Sequence, residues 1–478
     1  MYMAGFSTTG PLDLQTIGQA AGDTAPHSLS EYYNISFTDG SSTPSTGTIS
    51  IGNFLGKTIG SGGTWTEQEI LVSPNASATD FFGYSVAISG DYAVVGAYRE
   101  DPVVPVGGGQ YSQTDGGAAY IYYRSGTTWY FQERLTPTDV EHYDNFGLSV
   151  AIDGDYVIVG ARYEDPGGTQ SAGSAYIFVR SQTSSWPHPV YGSSWAQQAK
   201  LTASDKAQYD QFGTSVAIDG LTAIVGAPRK DYSVTDTGSV YVYSRTGTSW
   251  YEQQQLTASD AASYDNFGFN VAMDGDTIIV GAPYEETPPI QYSAGSAYIF
   301  VKPYIGSNWT QQAKLTPYDP ENGALLGHRV DIDGDYAVVG AFIEDPSLGF
   351  GLSLTDAGSV YIFVRSGTSW SQQQKLTASD KAAYDRFGSG VAIEGSRVVI
   401  GAMYEDDGGG NSGATYVFDR SGSNWTQTTK LINSDAGADD RTGLGVSLSG
   451  NTLITGSYYH TVASAYQQRQ GAAYIYTI

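Results

Sequence analysis

Cysteine is absent from all 478 residues, so there can be no disulfide frame, thiolate metal site, iron–sulfur cluster or cysteine nucleophile. Charged residues are sparse, 15% of the chain against a usual ~25%. Basic groups are sparser still, with 23 Lys and Arg against 49 Asp and Glu and a formal net charge of −26. A field of that sign argues against a general nucleic-acid or anionic-membrane binder. Long apolar runs are missing too: no window approaches the ~18 residues of a membrane span. Residues 1–18 lack the basic start and apolar run of a secretory signal. These absences predict a soluble chain with no membrane insertion, leaving a cell, if it does, by a route other than ordinary secretion. Glycine (60 residues) and tyrosine (37) are plentiful, and 40% of the chain is hydrophobic. That composition fits a turn-rich β protein with a large core.

Self-similarity sets the architecture. Trp65, Trp129, Trp195, Trp250, Trp309, Trp370 and Trp425 each precede by 17 residues Phe82, Phe146, Phe212, Phe267, Leu326, Phe387 or Thr442, and a glycine follows every one of those. Fourteen residues beyond these positions stand Gly96, Gly160, Gly226, Gly281, Gly340, Gly401 and Gly456. Neither spacing varies. Short apolar runs joined by hairpin signals such as Asp153-Gly154-Asp155, then a tyrosine-rich run and a tryptophan strand, predict four antiparallel strands per repeat. Seven repeats predict an all-β, seven-bladed β-propeller over residues 61–478. The last repeat stops at its third strand, and the strand carrying Trp65 precedes the first Phe-Gly. That N-terminal strand is expected to complete blade seven and close the ring, which leaves no sheet edge open.

The Phe-Gly pairs, the Gly-Ala-Pro runs at 226–228 and 281–283, and the stretch at 146–155 resemble FG-GAP repeats, the units of the integrin α-subunit propeller and of many bacterial and phage proteins. The resemblance implies the propeller fold and says far less about function. Blade five departs from it with Leu326, and blade seven with Thr442-Gly and Gly456-Ser-Tyr, which predicts different packing or exposure there.

Strand order puts the outer-to-inner connections and the loops after each Gly-Ala on one rim. That rim is acidic: Asp139, Asp205, Asp260, Asp319, Asp380 and Asp435 share one repeated position, while Asp80, Asp144, Asp210, Asp265, Asp385 and Asp440 share another. Such carboxylates suit either Ca²⁺ or the fixing of loops by accepting backbone N–H bonds. Integrin-type calcium loops resemble Asp-x-Asp-x-Asp-Gly, which no blade has; Asp331-Ile-Asp-Gly-Asp335 comes closest. No cofactor is required, calcium is an option, and Glu405, Asp406 and Asp407 are the candidate metal ligands. Arg124, Arg180, Arg245, Arg365 and Arg420 recur on the opposite rim, where strand-end hydrogen bonding is expected. Together the two rims predict a charge-polarised disc.

The five histidines occupy unrelated repeat positions, and neither His-Glu-x-x-His nor a Gly-x-Ser-x-Gly elbow is present, so no catalytic residue is nominated and the chain is expected not to be an enzyme. Single-copy loop insertions carry aromatics instead: Tyr111, Trp186, His188, Tyr191, Phe350, Tyr458, Tyr459 and Tyr466. These are the receptor-binding candidates, for stacking on a host surface glycan or filling a protein pocket, or else they cover the edge of a neighbouring blade.

Residues 1–60 lie outside the repeat and are too short and polar to hold a core. Their phrases Ile17-Gly-Gln-x-x-Gly-Asp-Thr, Ser28-Leu-Ser-Glu-Tyr-Tyr and Gly47-Thr-Ile-Ser resemble short modules of tailed-bacteriophage tail and baseplate proteins. The resemblance implies a virion structural protein of the tail, made in the host cytoplasm. Residues 1–60 would dock it on other phage structural proteins in a symmetric assembly through Tyr32, Tyr33, Ile51, Phe54 and Leu55. The alternative is a bacterial surface or secreted FG-GAP adhesion protein.

Overall fold

The computed structural model describes residues 64–478 except 76, 107–108, 182–193, 233, 287–291, 305, 350–351 and 462–468. The expected docking residues Tyr32, Tyr33, Ile51, Phe54 and Leu55 therefore lie outside the described residues.

Blade three shows how one repeat folds. Its innermost strand Ser215–Asp219, second strand Thr222–Ala227, third strand Ser239–Thr246 and outer strand Ser249–Leu256 pair antiparallel in that order. The second strand is buried from Ala223 onward. Both its faces meet protein, which is why its sequence is continuously apolar instead of alternating. The outer strand keeps exposed positions along its length. Gly220, at φ +53°, supplies the turn between the first two strands, a conformation that favours glycine. The pairing of third and outer strands slips at one equivalent point in each of several blades, as at Ile177/Phe178, Val242/Tyr243 and Val417/Phe418. Such bulges increase the local twist.

Seven four-stranded sheets of this kind follow one another, giving the expected seven-bladed propeller in a compact body spanning Glu67–Thr477. The core lies between blades. Phe212, Val216 and Tyr241 of blade three pack on Ile158 and Ile177 of blade two, and Phe82 and Tyr120 of blade one pack on Ile454 and Ile475 of blade seven. Phe82, Phe146, Phe212, Phe267 and Phe387 are fully buried, worth ~2–3 kcal/mol each. Each meets a buried tyrosine of its own blade edge-on at 5.4–5.6 Å.

Blade contacts explain the constant glycines. A Cβ on Gly160, Gly226 or Gly456 would run into the carbonyl oxygen of Gly213, Gly268 or Gly83 in the next blade. The glycines of the Phe-Gly pairs sit at φ +88° to +100°, where a side chain would be strained.

The ring closes as the sequence predicts. Thr66–Leu71 is the edge strand of the sheet that also holds Thr442–Ser449, Thr452–Ser457 and Ala472–Thr477. A second closure runs around the opposite rim, where the last side chain of each innermost strand accepts the N–H of the turn glycine in the next blade. The seven bonds, Ser89 from Gly154, Asp153 from Gly220, Asp219 from Gly275, Asp274 from Gly334, Asp333 from Gly395, Glu394 from Gly450 and Ser449 from Gly90, span 2.6–3.4 Å.

Of the two differences expected in blades five and seven, exposure does not appear at the substituted positions: Leu326 and Thr442 are each 1% exposed. Packing does differ in blade seven. The Thr442 hydroxyl lies 2.9 Å from Asn433 Nδ2 and 2.8 Å from Ser457 Oγ, so a satisfied polar network stands where other blades have a phenyl ring.

Candidate functional site

Most outer strands end in a basic residue followed by leucine. The leucine is buried in the blade interface, for example Leu201 and Leu315, and alternation turns the preceding side chain to the other face. There it meets the rim carboxylates. Lys200 Nζ donates to Asp139 at 2.6 Å and Glu164 at 2.7 Å. Lys314 donates to Asp260 at 2.7 Å and Glu285 at 2.6 Å, and Lys375 to Asp319 at 2.8 Å and to Glu344. In blade one, Arg134 pairs with Glu100 at 2.5 Å.

Two blades reach the same result by other residues. In blade three the loop position that holds glutamate elsewhere is Lys230, which donates to Asp210 at 3.1 Å and to the Asp205 carbonyl at 2.5 Å. The outer-strand position is Gln255, bonded to Ser239 at 3.0 Å and Tyr241 at 3.1 Å. In blade seven the loop position is His460, with Nδ1 2.9 Å from Asp440 and Nε2 3.4 Å from Asp435. Every blade thus places a basic group of the chain among its rim carboxylates. Burial alone would lower the ammonium groups of Lys200, Lys314 and Lys375, but the carboxylates bonded to them hold all three above the usual lysine range. Burial likewise disfavours charge on His460, and the Asp440 bond outweighs it and raises the imidazole.

Asp380, Glu405 and Asp407 bring oxygens within 4.8 Å of one another. Of the candidate ligands Glu405, Asp406 and Asp407, the first and last converge, joined by Asp380. Asp406 does not: its Oδ1 accepts the Asn411 N–H at 2.7 Å and fixes the loop. Lys430 Nζ sits among the three converging groups, 2.7 Å from Asp380, 2.8 Å from Glu405 and 2.5 Å from Asp407. A divalent ion could bind there only by displacing that ammonium.

The second repeated aspartate holds its loop. Asp80, Asp144, Asp210, Asp265, Asp385 and Asp440 each accept the N–H three residues upstream at 2.6–2.7 Å. Burial pushes Asp80 and Asp144 up to about 7 and Asp265 and Asp385 up to about 6, which these bonds offset only in part.

On the opposite rim, Arg180 and Arg365 bond Asp155 and Asp335 at 2.7 Å, while Arg245 and Arg420 lie 4.3 Å over Tyr156 and Tyr336. The disc is therefore less polarised than the sequence predicts, since each acidic-rim cluster holds a basic group and the opposite rim carries aspartates beside its arginines.

The innermost strands surround an axial cavity of about 540 Å³. Its wall carries Arg162, Arg329 and Arg386 near the acidic rim, with Asp331 as the one lining carboxylate among the described residues. None of the three arginines has an ion pair with a described residue. Buried and without a hydrogen-bond partner among the described residues are Arg162 Nε, Arg386 Nε and His328 Nδ1. Burial, with Arg329 and Arg386 nearby, holds His328 well below its ordinary value, so the ring is neutral. His328 packs between Phe342 at 4.2 Å and Phe269 at 4.9 Å, and Tyr84 meets Tyr458 edge-on at 5.3 Å.

The FG-GAP repeat model matches seven segments, 65–122, 129–178, 195–243, 250–300, 309–363, 370–418 and 425–476, one for each Trp-to-third-strand unit. The chain belongs to the FG-GAP repeat family. No curated protein matches it. An FG-GAP propeller fits an adhesion-type or surface protein.

Two receptor-binding candidates of this FG-GAP chain, Tyr458 and Tyr459, are packed into the propeller. Tyr458 is 7% exposed and belongs to an apolar cluster with Phe81 and Leu444. Tyr459 stacks on Phe81 at 4.8 Å beneath Arg441 at 4.0 Å. Both cover neighbouring blades, the other expectation stated for such aromatics. The blade-one insertion forms a hairpin of Val103–Val106 and Gly109–Ser112, with Tyr111 paired to Val104. In blade five, Ser347–Gly349 pairs with Leu352–Ser353. Trp186, His188, Tyr191, Phe350 and Tyr466 lie outside the described residues. Sequence reasoning missed the rim lysines, though the recurring Lys-Leu at 200–201, 314–315, 375–376 and 430–431 was a signal. For the axial arginines the repeat offers little signal: Arg386 shares its position with Arg441 alone, and Arg162 and Arg329 share theirs with no other arginine.

Proposed function

We propose that this FG-GAP propeller is a non-catalytic recognition module. The observation that carries the reading is the basic group of the chain held among the rim carboxylates of every blade. Those carboxylates are engaged in stability, so they make poor general acids, bases or metal ligands, and the single-copy loops and the axial mouth remain to carry specificity. The partner is a host surface glycan or protein. Fluorescently labelled protein should be retained saturably on susceptible bacterial cells and lost when surface polysaccharide is stripped or surface protein is shaved. Absence of saturable retention on every cell type tried would sink the reading.

A narrower reading places the module on a phage tail. It is supported by the phrases in residues 1–60, with Tyr32, Tyr33, Ile51, Phe54 and Leu55 docking on other virion proteins. The net charge of −26 supports a role without nucleic acid, and no helix among the described residues is long and apolar enough to cross a membrane. A chain starting near Gly60 should fold yet fail to join particles. Normal incorporation would shift the assignment to a surface or secreted adhesion protein.

A further inference from the structure

We propose that the arginine-bearing mouth of the axial channel binds the acid group, carboxylate or phosphate, of a small acidic saccharide. The proposal deepens the recognition reading by naming a ligand class and a place.

The charge distribution is the first argument. In a chain of net charge −26, acidic partners are plentiful, and several arginines elsewhere take them: Arg124 bonds Asp91, Arg180 bonds Asp155, and Arg397 bonds Asp419. Arg162, Arg329 and Arg386 line one cavity with Asp331 as their only lining carboxylate among the described residues, and Asp331 is already bonded to the Ile393 N–H at 2.8 Å. The second argument is unsatisfied donors. A buried N–H without an acceptor is costly and uncommon in a folded protein. Arg162 Nε and Arg386 Nε lack one, as does the Nε of Arg134, Arg245, Arg420 and Arg441 outside the cavity, but only the cavity adds a buried imidazole nitrogen, His328 Nδ1, that is likewise unpartnered.

Blade construction does not require these arginines. Equivalent positions in other blades hold Ser85 or Gly390 in place of Arg329, Pro228 or Met403 in place of Arg162, and Asn145 or Leu325 in place of Arg386. An acid group arriving along the axis would supply the missing acceptors, and guanidinium forks suit both carboxylate and phosphate. The cavity, about 540 Å³, is of the size that encloses a small ligand. Phe342, Met403 and Leu444 form an apolar wall beside the arginines. That wall fits the carbon face of a sugar ring and gives a bare anion nothing, so the saccharide is preferred.

The full chain is titrated calorimetrically at low salt with glucuronate, glucose 6-phosphate, glucose and inorganic phosphate. Both acidic sugars should bind, glucose should not, and inorganic phosphate should bind about tenfold more weakly for want of the apolar contact. Arg329→Met and, separately, Arg386→Gln should each weaken glucuronate about tenfold or more. Neither should melt earlier than the parent without ligand, because each relieves crowding of like charges. Equal binding of glucose and glucuronate would overturn the proposal. So would variants that melt earlier while binding unchanged, the behaviour of a structural arginine. Phosphate binding as tightly as the sugars would overturn the saccharide assignment. Protein that binds no acidic sugar yet is still retained on cells would overturn this site and leave the recognition reading intact.

Discussion

Blade three supplies the design for a test of the rim clusters, since it holds its cation on the loop and an amide on the outer strand. Lys314→Gln in blade four takes away the ammonium bonded to Asp260 and Glu285. Removing one partner of a buried ion pair costs about 3–5 kcal/mol. Glu285 is 8% exposed, but Lys314 is 24% and Asp260 45% exposed, so solvent screening brings the expectation down to ~2–3 kcal/mol. Adding Glu285→Lys rebuilds the blade-three arrangement: the new ammonium at position 285 would face Asp260 and Asp265 as Lys230 faces Asp205 and Asp210. The new amide at position 314 would meet Ser296 as Gln255 meets Ser239. The double variant should return to within ~1 kcal/mol of the parent, within the range of coupling for residues in contact. For a body spanning Glu67–Thr477, an unfolding entropy of roughly 2.1 cal/mol/K per residue makes the loss in Lys314→Gln about 3 °C. Calorimetry at pH 7, with urea titration as a second probe, resolves that shift. A double variant no more stable than Lys314→Gln alone would refute the idea that the cluster needs a cation but not a particular donor strand.

Four further expectations follow from the same geometry. Asp80 and Asp144, raised to about 7, and Asp265 and Asp385, raised to about 6 from 3.8, contribute stability fully present below pH 3.8 and lost as pH rises through those folded values. The melting midpoint should therefore climb as pH falls from 8 to about 5, and Asp80→Asn with Asp144→Asn should flatten the climb; an unaltered slope would count against burial as its cause. Gly401→Ala, whose Cβ would collide with backbone atoms of Gly443, should cost about 3 kcal/mol or prevent folding, whereas Gly410→Ala, with nothing within 4 Å, should melt within a degree or two of the parent. Because Lys430 already sits among Asp380, Glu405 and Asp407, the midpoint in millimolar Ca²⁺ should equal that in chelator; a rise abolished by Asp407→Asn would show that the ion displaces the lysine. Deleting residues 62–72 removes the edge strand of blade seven and should produce aggregation visible by light scattering, while a truncated chain that stays monomeric and melts like the parent would disprove closure by that strand.

The fold was legible because its defining signals are rigid. Blade contact forbids a side chain at Gly226, and the core needs a large ring at Phe212, so the spacing between them cannot drift. The rim was legible only by half. Its aspartates recur at fixed positions, but the partner of Asp139 is Lys200, 61 residues later, and the donor is lysine, arginine or histidine in different blades. The switch of glutamate to Lys230 and lysine to Gln255 looks like two unrelated changes until the loop and outer strand are seen to meet. The axial mouth was not legible at all. Arg162, Arg329 and Arg386 occupy three different repeat positions in three blades, and only closure of the ring brings them around one cavity.

The rim clusters also bear on how such an array can change length. The sequence repeat runs from a tryptophan to the next third strand, as in 195–243, yet it carries Lys200 for the blade behind it and Asp205, Asp210 and Lys230 for its own. A gene duplication of that repeat would bring a second copy of Lys200 against Lys230, two ammonium groups in one cluster. Loss of repeat 250–300 would bring Lys314 there instead of Gln255. Most blades share one charge arrangement and could be exchanged by recombination at this cut, but blade three is inherited only together with the start of the repeat that follows it. Copies of this propeller that gain or lose blades should therefore keep residues 195–256 as one block.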